Sequence, residues 1–81
     1  MTLVDRVAAL FVKVFSIDPE DFSMNAVPED ILRWDSLGHM TLVMELEEQF
    51  KVHFEVDEIM EMSSAAKIIA ILNSKGVKDS P

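Results

Sequence analysis

Cysteine is absent from the 81 residues, which removes disulfides, thiolate metal sites and a cysteine nucleophile together. Any thiol chemistry must be imported. Glycine is almost absent: only Gly38 and Gly76 occur, so no glycine-rich loop can cradle a phosphate. His39 and His53 show neither HExxH nor triad-like spacing. No apolar run approaches the ~20 residues of a membrane span, and the first residues lack the basic region of a signal peptide. Met1 reads as the initiator of a free-standing chain, with the cytoplasm as its default compartment.

Basic residues are also scarce. Seven Lys+Arg stand against fifteen Asp+Glu, a net charge of −8, and the pI is near 4.5. Such a chain repels nucleic acid and anionic membranes and favours basic partners. From Asp18 to Glu61 the net charge is −11, whereas the two ends together carry +3. A segment that begins Asp18-Pro19-Glu20-Asp21-Phe22-Ser23 lacks the oxygen ligand at position five and the glycine at position six that a calcium loop needs. Glu45, Glu48, Asp57, Glu58 and Glu61 therefore read as a solvated acidic face, and no metal site is expected. A chain of this length buries only about 60–65% of its unfolded surface. A concave catalytic pocket is hard to build at that size, so an enzyme is not expected.

What is present is helical periodicity. Leu3, Val4, Val7, Ala8, Leu10, Phe11, Val14 and Phe15 recur every three to four residues. Thr2 and Asp5 suit a capping box, and Asp18-Pro19 is expected to end this first helix. The stretch from Asp18 to Asp35 has no sustained period, yet it contains Phe22, Met24, Val27, Ile31, Leu32 and Trp34. Those side chains need burial, so an ordered loop strapped across a bundle is predicted rather than a linker. A second helix is predicted from Asp35-Ser36, both good N-cap types, to about Lys51. Its Leu42, Val43, Leu46 and Phe50 form a core stripe, and His39 projects toward that stripe. Leu37, Met40 and Met44 fall on the other side with Glu47 and Glu48. Val52–Val56 alternates like a strand, but nothing can pair with it, so an extended connection is predicted. Asp57 is expected to cap a short helix through Met62. Ser63 or Ser64 should cap a last helix with Ala65, Ile68, Ile69 and Leu72 inside, ending at Lys75-Gly76.

Among the seven serines, Ser36 differs by context: Trp34-Asp35-Ser36-Leu37-Gly38 opens a helix with an acidic, methionine-bearing face. A phosphoryl group on that hydroxyl would meet the positive end of the helix dipole. A plain N-cap serine is the alternative on these residues alone.

Asp35-Ser36-Leu37 followed by Leu42-Val43-Met44-Glu45-Leu46-Glu47-Glu48-Gln49-Phe50 strongly resembles the acyl carrier proteins. The likeness runs from about Leu3 to Gly76, and includes the helix order, the long first loop and the Ser64-Ala65 opening. The resemblance implies an all-α, antiparallel four-helix bundle over residues 1–76, with 77–81 as a frayed tail. It implies 4′-phosphopantetheine on Ser36, donated by coenzyme A through a phosphopantetheinyl transferase, with Asp35 orienting the attachment turn. The arm's thiol would hold acyl groups as thioesters, which suits a chain without cysteine. Leu37, Met40, Met44, Glu47 and Glu48 would face loading, synthase and acyltransferase enzymes that carry basic patches, and the carrier would act as a monomer. Phe50, Phe54, Ile59, Met62 and Ile68 would line a space for the acyl chain. The sequence departs from the fatty-acid-synthase pattern at Gly38 and Thr41, where acids are usual, and at Trp34, where a small or aliphatic residue is usual. Those departures point to specialised polyketide, nonribosomal or lipid synthesis. The competing class is an unmodified acidic helical adaptor.

Overall fold

The computed structural model describes residues 2–78. They form a small all-helical bundle of four α-helices, α1 Leu3–Phe15, α2 Ser36–Phe50, α3 Val56–Met60 and α4 Ala65–Ser74. There is no strand among the described residues. Local sequence explains each start. Thr2 Oγ1 accepts the Asp5 amide at 3.1 Å while Asp5 Oδ2 accepts the Thr2 amide at 3.3 Å, the reciprocal capping box. Ser64, not Ser63, caps α4 by accepting the Lys67 amide at 3.2 Å.

Three ends differ from the periodicity-based expectation. α1 stops at Phe15, because Ser16 takes a left-handed conformation (φ 57°) and donates its N–H to Val12 at 2.9 Å. The break thus precedes the Asp18-Pro19 pair. α3 is capped at Glu55 rather than Asp57, with Glu58 Oε1 accepting the Glu55 amide at 2.8 Å, and it ends at Met60 rather than Met62. At the far end Gly76 has φ 86°, a conformation glycine adopts without strain. That turn carries Val77 back onto the core, with its N–H on Leu72 at 3.1 Å. Val77 is therefore part of the fold rather than of a frayed tail; residues 79–81 lie outside the described residues.

The long first loop is ordered by hydrogen bonds and by packing. Two 3-10 turns, Pro19–Asp21 and Pro28–Asp30, punctuate it. Its Ala26 and Met24 carbonyls accept the Ala65 and Ala66 amides of α4, both at 3.0 Å. These first-turn donors have no partner within their own helix, so strapping the loop across α4 satisfies both elements. Ala26, Ile31 and Trp34 are buried, but Leu32 is 96% exposed, contrary to its expected burial.

α1 packs against α2 and α4, and the core is densest in aromatics beneath the start of α2. Phe11 meets Phe15, Phe22 and Trp34 edge-on at centroid distances of 5.4, 5.0 and 5.1 Å. The indole also stacks on Phe15 at 5.8 Å. Edge-to-face and offset pairs at these distances are the favoured aromatic geometries. The head of α2 thereby rests on a rigid platform.

Candidate functional site

Ser36 is the first residue of α2 and is exposed. Asp35 has extended backbone and accepts the Gly38 amide on Oδ1 at 2.8 Å, while its carbonyl takes the His39 amide at 2.7 Å. The side chain that caps the helix is therefore Asp35, and the Ser36 hydroxyl is not spent on capping. The amides of Ser36 and Leu37 lie ahead of the intrahelical ladder. A negative group carried by Ser36 Oγ would sit at the positive end of a fifteen-residue helix.

Gly38 explains how the turn is made. A Cβ there would overlap the Arg33 carbonyl oxygen and sit 3.1 Å from Phe15 Cε1. The loop backbone thus crosses α2 where the helix has no side chain. This close approach is the structural reason for glycine at position 38.

Beside Ser36 lies a groove of about 620 Å³. Trp34, Asp35, Ser36, His39 and Met40 form one side, Ile59, Met60 and Met62 the other, and Pro28 and Ser63 close it. Of the five side chains expected to line an acyl space, Ile59 and Met62 reach this groove. Phe54 and Ile68 are core. Phe50 is core as well; the Arg6 guanidinium lies 4.5 Å from its ring centroid, and it lines a separate, smaller cavity of about 270 Å³ with Leu10 and Lys13. Trp34, His39, Met40 and Met60 are groove residues that the periodicity did not assign to it. His39 carried a usable signal, being three residues beyond Ser36 and hence on its helix face.

The groove floor is hydrogen-bonded. Trp34 Nε1 donates to His39 Nδ1 at 2.8 Å, and His39 Nε2 is 3.0 Å from the Ile59 carbonyl oxygen. The indole can only donate and the carbonyl can only accept, so one tautomer satisfies both: Nδ1 bare, Nε2 protonated.

Leu37 is 80% and Met44 66% exposed, and Met40 is about half exposed. Met60, which lines the groove with Met40, is 78% exposed. Glu48 is exposed, but Glu47 is half-buried and engaged: its Oε2 accepts the Phe54 amide at 2.9 Å. Glu45 pairs with Lys13 at 2.9 Å. Glu58 pairs with Lys75 at 2.8 Å, and this bond, then the Glu55 amide, holds its carboxyl below the ordinary value. Among the described residues there is no cluster of ligands suited to a metal ion. No helix among them is long and apolar enough to cross a membrane.

The family model described as phosphopantetheine attachment site matches residues 5–72, nearly the whole span from α1 to α4. This defines the class: a carrier domain that bears a covalently attached 4′-phosphopantetheine and acts without catalysing. The chain is 33% identical over 76 residues to an acyl carrier protein of Campylobacter curvus (strain 525.92), covering 94% of this chain and 99% of the relative. It is 29% identical over 73 residues to an acyl carrier protein of Thermosynechococcus vestitus, covering 90% of each. A third, from Chlamydia trachomatis serovar D, is 28% identical over 75 residues, covering 93% of this chain and 97% of the relative. The chain belongs to the acyl carrier protein family. Members interact with a phosphopantetheinyl transferase and with synthase enzymes.

Proposed function

We propose that Ser36 Oγ is the attachment atom, and that the chain shuttles thioester-bound acyl groups between partner enzymes of a specialised polyketide, nonribosomal or lipid pathway. The observation that carries this reading is the division of labour at the head of α2. Asp35 does the capping, which leaves the exposed Ser36 hydroxyl free at the positive end of the helix. A phosphodiester there gains from the dipole and can approach the two amides ahead of the ladder. When bound, the group supplies the thiol that the chain lacks. The remaining work falls to the chain's own residues: Asp35 fixes the turn, Gly38 admits the loop backbone, and the aromatic platform keeps Ser36 from moving.

Leu37, Met40 and Met44 are proposed as the desolvated centre of partner docking, with Glu48 steering basic partner surfaces toward it. The groove bounded by Met40, Ile59, Met60 and Met62 is proposed to receive the arm and its cargo. Its methionines can re-pack around chains of different shape. The carrier is proposed to act as a monomer. Gly38 and Trp34 support the specialised pathway, because both depart from the fatty-acid-synthase pattern and both lie against Phe15.

Intact mass after incubation with coenzyme A and a broad-specificity phosphopantetheinyl transferase tests the attachment atom. One phosphopantetheinyl group should be gained by the wild type and none by Ser36→Ala. A gain that survives Ser36→Ala would move the site elsewhere, and no gain in the wild type would leave the adaptor reading.

A further inference from the structure

We infer that His39 is a positioning residue that ties α3 to the head of α2 and so sets the width of the groove beside Ser36. This rests on the reading that the groove receives cargo. α3 is the weakly anchored helix: it has five residues and none is fully buried. Two side-chain ties hold it. Lys75, the residue that follows α4, grips Glu58 at 2.8 Å, and His39 of α2 holds the Ile59 carbonyl at 3.0 Å.

The second tie inherits its position from the core. Trp34 is buried and stacked on Phe15. Besides Phe11 and Phe15 it has His39 as a ring neighbour, near-parallel at 13° and 6.1 Å between centroids. The indole N–H bond to Nδ1 then fixes both the rotation of the imidazole and its tautomer, which aims Nε2–H at Ile59. Rigidity passes from Phe15 through Trp34 and His39 to the groove wall. Trp34, His39 and Ile59 all line that groove. A cargo wider than the resting groove must therefore break the His39–Ile59 bond and displace α3, whereas a slim one need not. His39 thus sets a size limit on what the carrier shelters.

The test begins with the unloaded protein, comparing wild type, His39→Ala and His39→Gln by hydrogen exchange in NMR. His39→Ala should speed exchange of the Trp34 indole N–H and of the α3 amides about tenfold, with the Leu46 and Leu72 amides unchanged. His39→Gln keeps a donor for the Ile59 carbonyl and should hold the α3 amides nearer the wild-type rate. Equal rates in wild type and His39→Ala would overturn the inference. Should His39→Ala fail to fold, the wild-type imidazole nitrogens decide. In the neutral ring Nδ1 must be the bare nitrogen and Nε2 the protonated one, and the opposite tautomer or a mixture of the two overturns the proposal.

A second arm uses protein loaded at Ser36 with straight-chain acyl thioesters of increasing length and with a branched one. The branched cargo should perturb Ile59 and Met62 more in His39→Ala than in wild type. Equal perturbation in both overturns the inference. No groove perturbation in any loaded form, with the exchange difference intact, overturns the cargo reading alone.

Discussion

Glu47, on α2, accepts the Phe54 amide at 2.9 Å across the connection between α2 and α3. The same oxygen lies 3.4 Å from His53 Nδ1. The pair closes the connection and satisfies a part-buried donor, so Glu47 has a structural task that neighbouring Glu48 lacks.

The two acids should therefore separate in a stability measurement. Glu47→Ala leaves the Phe54 amide without its acceptor and should cost about 1–2 kcal/mol in urea unfolding. Glu48→Ala should stay within about 0.5 kcal/mol of the wild type. Equal costs would mean that the Glu47–Phe54 bond contributes nothing.

Gly38→Ala should destabilise, although alanine is the better helix former by about 1 kcal/mol. The added methyl meets the Arg33 backbone and the Phe15 ring, and one of these is main chain that cannot rotate away. A loss of about 1–3 kcal/mol is expected from such overpacking. A variant with a raised melting temperature would show that the loop yields freely.

Acid sensitivity should trace in part to Glu58. Lys75 and the Glu55 amide lower its pKa in the folded protein from the ordinary 4.5. A lowered folded pKa contributes stability above the unfolded value, lost as pH falls through the folded one. Glu58→Gln should thus melt lower than wild type at pH 7, and the gap should close as pH drops below 4.5. A gap of constant size down to pH 3 would exclude this ion pair as a source of acid sensitivity. Lys75 also lies 5.5 Å from the centroid of the Phe54 ring, so Lys75→Met tests the pair from the other side while keeping apolar cover.

Docking should separate charge from contact. Glu48→Lys should slow phosphopantetheine loading at low salt and converge with wild type as salt screens the charge. Met44→Ala should raise the KM of the transferase about fivefold at every ionic strength, through lost apolar burial of about 1 kcal/mol. Loading rates across a salt series read both. An unchanged low-salt rate in Glu48→Lys would make that acid a matter of solvation alone. Trp34 is no substitute docking residue, because it is buried.

What was legible from sequence follows from range. Capping boxes, apolar stripes and turn residues act within a few positions of one another, so α1, α2 and α4 and the exposure of Leu37 and Met44 could be read directly from residue spacing. Ser36 stood out for the same reason, as a serine at the mouth of a helix with an acidic, methionine-bearing face. Tertiary structure alone decided which elements meet. Whether Phe50 faces Arg6 or a groove, whether Glu47 is solvated or spent on Phe54, and why position 38 carries no side chain depend on segments many residues apart arriving at one place. The same holds for the Trp34–His39–Ile59 chain, whose three members span a loop and two helices. Spacing along one helix says which side a residue occupies. Only packing against the others determines what it touches there, because hydrogen bonds and steric exclusion act over a few ångströms of space, whatever the distance along the chain.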